Sequence, residues 1–114
     1  MDPTLDLPEY LLHELDQLLM HIASDRLVKT VVLFGSTARN SRNESSDIDL
    51  LILVDTDSAV DHARISTRIR KKAFELLSLP LDLIVESHRD FQERVHLPTL
   101  ERKIAREGMV LYAA

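Results

Sequence analysis

Two short segments of this chain combine residue types suited to handling a phosphorylated ligand. Leu33-Phe34-Gly35-Ser36 ends a β-branched and aromatic run with a glycine and a hydroxyl, and ten residues later Asp47-Ile48-Asp49-Leu50 opens the most apolar stretch of the sequence. Gly35 lacks a Cβ, so a ligand can approach the backbone closely there. Ser36 adds a hydroxyl and a backbone N–H at the start of a short helix, where anions are favoured. Together they outline a triphosphate holder. Asp47 and Asp49 stand two residues apart on a strand, so both side chains share one face. Carboxylates converging there repel unless cations lie between them, and hard oxygen ligands of this kind suit Mg²⁺, completed by water and phosphate oxygens. Taken singly, each feature has a plainer role: a glycine after a strand makes a turn, a serine caps a helix, and acids opening a strand are solvated loop residues. The combination is what is specific. Acids abutting so apolar a run are hard to explain as solubility residues, because burying unpaired charge is costly.

The elements that must position these residues can be read from periodicity. Pro8 sits where a first helical turn tolerates proline. Leu11, Leu12, Leu15, Leu18, Leu19 and Ile22 follow at helical spacing, giving an amphipathic helix to about Ser24. Thr30 to Phe34 reads as a buried strand ending at Gly35, followed by a short helix to about Asn40 and a polar loop to Ser46. Asp47 to Val54 is apolar on both faces beyond Asp49, which places it inside a sheet. Ser58 and Asp61 have capping-box spacing and open a helix to about Leu77, with Ile65, Ile69, Ala73, Leu76 and Leu77 inward. Leu81 to Val85 is a third strand, and Pro80 before it points to an edge position. Ser87 with Asp90 caps another helix, which Pro98 interrupts. A last helix runs from about Thr99 to Glu107, with Gly108 as its closing residue. Met109 to Tyr112 is a short strand or a packed tail. The fold class is α/β (α+β), a small mixed sheet flanked by helices.

With these elements in place, the motif resembles a known family. The string LFGSTARNSRNESSDIDLLILVD is similar to the nucleotidyltransferase signature of the DNA polymerase β superfamily, Gly-Ser followed ten residues later by Asp-x-Asp. It looks most like the shortest prokaryotic branch, the minimal nucleotidyltransferases. LDLIV at 81–85 is similar to the strand bearing the third family carboxylate, and IAREGMVLY at 104–112 is similar to a common close of this branch, so the resemblance spans most of residues 28–112. Two departures stand out. Asn40 occupies a position where glycine often follows the Ala-Arg pair, and asparagine tolerates the positive φ of such a turn. Thr37 replaces a frequently basic residue, which would weaken one phosphate contact.

The resemblance implies a nucleotidyltransferase-like fold and transfer of a nucleoside monophosphate onto a hydroxyl. Gly35 and Ser36 would hold the β- and γ-phosphates, and Asp47, Asp49 and Asp82 would be the catalytic, metal-binding acids for two Mg²⁺ ions, with ATP as donor. Asp82 stands alone in an apolar strand, where the alternative is an edge charge that deters aggregation. Glu86 and Asp90 are the fallbacks, reading better as loop and cap. Arg39 and Arg42 would neutralise triphosphate charge, or simply lie in a solvated loop. The resemblance further implies a HEPN-domain partner, a toxin for which this branch supplies the antitoxin by transferring AMP to a tyrosine. Two other readings stay open: an antitoxin that neutralises by contact alone, and a homodimer modifying a small molecule.

Composition sets limits on these readings. The 114 residues are 45% hydrophobic and cysteine-free, and read as a single domain over 1–114 with residues 1–7 as an N-terminal tail. So short a chain leaves the acceptor side of the site open, which points to a second macromolecule as the other wall, in a hetero-oligomer or a homodimer. The net charge of −5 and pI near 5.4 disfavour stable nucleic-acid binding. No apolar run reaches membrane-spanning length and the start is acidic where a signal peptide is basic, so a cytoplasmic location is expected. The five histidines show no close ligand pair, and no zinc site is read. Arg64, Arg68, Lys71 and Lys72 form a basic stripe read as a solvated helix face or a greeting for an acidic partner.

Overall fold

A computed structural model describes residues 7–38 and 47–114. Its central element is β2, Ile48–Val54, buried along its whole length except at Asp49, which is half-buried. That burial on both faces is why the segment reads as a continuous apolar run. β1, Val28–Phe34, pairs antiparallel with one side of it, and β3, Leu81–Ser87, pairs parallel with the other. β4, Met109–Ala113, adds antiparallel to the free side of β1, giving a mixed sheet in the order β3-β2-β1-β4. The edge position expected of the strand after Pro80 is the one observed. The parallel β2–β3 pair requires a crossover, supplied by helix α3, Ala59–Leu76.

Alternation along the strands divides the core in two. Val31, Leu33, Ile48, Leu50, Ile52 and Leu83 point to the face covered by α3 and by α1, Glu9–Ala23, where Leu11, Leu18, Ile22, Ile65 and Ile69 complete the larger cluster. Val32, Leu51 and Leu53 point to the opposite face, beneath α4, His88–Arg94, and α5, Leu100–Glu107. The remaining helix, α2, is one turn over Gly35–Ala38. Pro8 lies one residue before α1, as its N-cap. Among the described residues no helix is long and apolar enough to cross a membrane.

The caps at Ser58 and Ser87 fall where the sequence places them, and Thr99, expected only as the start of the last helix, caps it as well. Asp61, Asp90 and Arg102 donate their backbone N–H to the hydroxyls of Ser58, Ser87 and Thr99 at 3.2, 3.1 and 3.3 Å. Gly108 differs from expectation. Its backbone is extended, with φ −75° and ψ 161°, so it closes α5 without the left-handed turn of a glycine C-cap. A Cβ there would lie 2.6 Å from the Ile104 carbonyl oxygen and 2.7 Å from a Val32 methyl, so glycine is needed for the close approach of α5 to β1.

The basic stripe on α3 is also more committed than a solvated face. Arg64 and Arg68 reach Asp25, in the turn before β1, at 3.1 and 3.5 Å. Burial alone would raise the Asp25 carboxyl, but the Leu27 amide and both guanidiniums hold it below its ordinary value. On the outer edge of β3, the Arg70 guanidinium donates to the Leu83 carbonyl at 3.1 Å. Asp25→Ala should lower stability by about 1–3 kcal/mol, since it removes the acid that Arg68 and the Leu27 amide share and leaves Arg64 with Asp61 alone. Urea unfolding should therefore show a lower midpoint with an unchanged slope.

Candidate active site

β1 ends at Phe34, and Gly35 then turns the chain into α2 with φ +74°, a conformation L side chains rarely adopt. Phe34 is paired with Asp49 across β1 and β2, so the turn lies directly beside that acid. The packing is close. A Cβ on Gly35 would stand 2.2 Å from Asp49 Oδ2 and 3.0 Å from its carboxyl carbon. Glycine is required here twice over, by backbone angle and by the carboxylate in the space a side chain would fill.

On the other side of β2, Asp49 is paired in register with Asp82 of β3. Residues opposite each other on adjacent strands point to the same face, here the one under α4 and α5. Asp82 is exposed at the sheet edge and Asp49 is half-buried. Asp47 precedes β2 by one residue and is exposed, two positions from Asp49 on the same parity. Its carbonyl accepts from the Thr37 hydroxyl at 3.4 Å, and Thr37 is almost fully buried. Thr37 thus ties α2 to the start of β2, a role missed when it is read only as the loss of a basic phosphate contact. Arg39 and Arg42 lie outside the described residues. Among the described residues no three acidic or histidine side chains are already grouped to hold a metal ion. Asp49 and Asp82 are aligned, but the acids form an open edge and not a closed cage, as expected of carboxylates that repel one another.

The fallback acids sit elsewhere. Asp90 is in the first turn of α4, its amide on Ser87. Glu86 shares a face with Asp82 but lies about 13 Å further along the strand, at roughly 3.3 Å per residue. It is tucked beneath α4 and α5, with Oε1 buried and lacking a hydrogen-bond partner among the described residues. Burial, then the charge of neighbouring Glu101 and a hydrogen bond to it, push the Glu86 carboxyl up to about 7, against a partial offset from Arg94. Burial would raise buried Glu101 as well, but its own backbone amide and its hydrogen bond from Arg94 lower it. The pair therefore divides its charge, Glu101 favouring the ionised form and Glu86 favouring the protonated one. Sequence reasoning had no signal for this cluster, because Glu86 and Glu101 meet only through the packing of α5 on the sheet.

A glycine turn set against a strand acid, with a second acid abreast on the next strand, suits the approach of a phosphorylated ligand to the end of a mixed α/β sheet. The chain belongs to the nucleotidyltransferase domain family, whose family model matches residues 15–112. It is 36% identical over 87 residues to a Methanocaldococcus jannaschii protein classed as a protein adenylyltransferase, covering 75% of this chain and 79% of that one. The fold is shared with a Sulfolobus solfataricus protein classed as a nucleotidyltransferase, at TM-score 0.56 and 17% identity over 90% of this chain and 80% of the other. It is also shared with a chain of a toxin–antitoxin crystallised with AMP-PNP, at TM-score 0.53 and 22% identity over 90% and 73%. The family resemblance read from the Gly-Ser and Asp-x-Asp motif is borne out.

Two outcomes test this geometry. Gly35→Ala should lose about 1–3 kcal/mol of stability through the positive φ and the contact with Asp49, seen as a lower melting temperature together with loss of nucleotide transfer. Glu86 gives a pH dependence. Its raised carboxyl contributes stability that is full below the ordinary value near 4.5 and is lost as pH rises through about 7. Glu86→Gln should therefore stabilise the protein at pH 8 by about 1 kcal/mol, the shift being discounted for partial exposure. It should change little at pH 5, and an equal gain in melting temperature at both pH values would contradict the proton-holding assignment.

Proposed function

We propose that this chain transfers AMP from ATP to a tyrosine hydroxyl of a HEPN-domain partner, as the antitoxin of a toxin–antitoxin pair. The observation that carries the reading is the in-register Asp49–Asp82 pair set against the positive-φ turn at Gly35. The similarity to a protein classed as a protein adenylyltransferase supports a protein acceptor. The toxin–antitoxin crystallised with AMP-PNP, which shares the fold, supports the partner and donor.

The donor set fits a divalent cation. Asp47, Asp49 and Asp82 offer hard carboxylate oxygens at one end of the sheet, and their open arrangement leaves room for water and phosphate oxygens in the coordination shell. Mg²⁺ bound there would withdraw charge from the α-phosphate and lower the pKa of the acceptor hydroxyl. The chain's own residues do the rest. Gly35 lets the phosphates approach the backbone, and Ser36, the next residue, is the hydroxyl that would donate to a phosphate oxygen. Asp82, exposed on the edge strand, faces the incoming hydroxyl and can accept its proton. The acceptor oxygen bonds to the α-phosphorus as the bond to the β-phosphate oxygen breaks, and pyrophosphate leaves in line. Because Asp82 is exposed, the acceptor side is open to a macromolecular surface.

The test is direct. The product of the neighbouring gene, incubated with this protein, Mg²⁺ and ATP, should gain about 329 Da per transferred AMP, the group such a site delivers. Asp49→Asn should remove that gain while the fold survives, since losing a charged ligand also relieves carboxylate repulsion. A stable complex with an unmodified partner would favour the contact-only antitoxin, and adenylylation of a metabolite in place of the partner would favour the small-molecule enzyme.

A further inference from the structure

Seven of the twelve described basic side chains are committed to acids or carbonyls: Arg64 and Arg68 to Asp25, Lys29 to Asp55, Arg89 to Asp57, Arg94 to Glu101, Lys72 to Glu75 and Arg70 to Leu83. The outer face of α5 is different. Arg102, Lys103 and Arg106 are all exposed, and among the described residues none of their side chains makes an ion pair or hydrogen bond. In a chain of net charge −5, three uncommitted cations on one helix mark a local reversal of sign.

Their position gives that reversal a use. Lys103 lines a cleft of about 160 Å³ together with Phe34, Gly35, Leu100, Ile104 and Glu107. It also lines a groove of about 440 Å³ along α5, with Arg102 and Arg106 beside it. The sheet order sets Asp82, Asp49 and Phe34 in a row across β3, β2 and β1, and the cleft continues that row past Gly35 beneath α5. A triphosphate with its α-phosphorus at the acids and its tail over Gly35 points its terminal phosphates at this cleft. Phe34 and Ile104 give the cleft an apolar floor with the half-exposed Leu100 at its rim, and such low-dielectric walls strengthen the attraction between a cation and a phosphate.

We propose that Lys103 is a further substrate-binding residue, holding the terminal phosphates of the nucleoside triphosphate, with Arg102 and Arg106 adding to the positive field around it. The inference rests on the reading of Gly35 and Ser36 as the phosphate-holding turn. Lys103 delivers an ammonium group to the β- and γ-phosphates and makes no contact with the nucleoside, so it discriminates ATP and pyrophosphate from AMP.

Calorimetric titration of the full chain in Mg²⁺ with ATP, inorganic pyrophosphate and AMP tests this without an acceptor. Lys103→Gln should weaken ATP and pyrophosphate binding about tenfold, the scale of one lost charge-assisted contact, and leave AMP unchanged. Lys103→Arg should restore most of the loss. Lys72→Gln, a change of the same charge on α3, should leave all three ligands unaffected, and thermal melts should show each variant folded. Lys103→Gln binding ATP and pyrophosphate as tightly as the wild type, or losing AMP to the same degree, would overturn the assignment of Lys103 alone. A folded wild type that binds neither ATP nor pyrophosphate would overturn the phosphate-turn reading, and this inference with it.

Discussion

The lateral alignment of Phe34, Asp49 and Asp82 across three strands sets where every other part of the site can be. One pairing is antiparallel and the other parallel, and both are fixed by the same alternation that sorts the core. A slip of one residue in β2 would carry Asp49 to the face of α1 and α3 and bring Leu50 out in its place. That face is closed by fully buried leucines and isoleucines, where an unpaired carboxylate costs several kcal/mol. The hydrophobic pattern therefore both folds the sheet and decides the face on which the acids emerge. Gly35 follows from the same alignment, because the residue after Phe34 must turn away beside Asp49 without a side chain.

The sheet face bearing the site handles negative charge in two ways. At the exposed end, Asp49 and Asp82 stand opposite each other in register on adjacent strands. At the covered end, Glu86 meets Glu101 beneath two helices, where burial and the neighbouring charge favour the protonated form of Glu86 and Arg94 pairs with Glu101. The difference lies in access. Helices α4 and α5 close over Glu86, whereas the Asp82 end remains open to outside cations. β2, buried along its length except at Asp49, anchors the strand that carries this acid.

Much of this was legible in the residues. Strand β2 announces itself as an uninterrupted apolar run, and its central place follows from being apolar on both faces. Pro80 marks β3 as an edge, the Ser87 cap marks the start of α4, and Thr99 marks that of α5. Gly35 and the paired aspartates are readable because they break local rules, a flexible residue closing a strand and charges opening a buried one. What escaped is what depends on contacts distant in sequence. Thr37 looks like a weakened ligand contact until it is found holding the backbone at Asp47. The cations of α3 look solvated until the turn before β1 brings Asp25 to them. Gly108 suggests a helix cap, but its reason lies in Val32, on a strand formed some seventy-five residues earlier.

Arg70 limits what can pair with the edge strand that carries Asp82. β3 is an edge strand, and an unguarded edge invites any extended chain to pair with it, which leads to aggregation and indiscriminate capture. The Arg70 guanidinium occupies the outward carbonyl of Leu83, one residue beyond Asp82, so a chain laid along β3 forfeits that rung of the ladder. Asp82 itself stays uncovered. The edge thus resists a strand laid alongside while leaving Asp82 reachable end-on, a selection by shape built into a single side-chain contact.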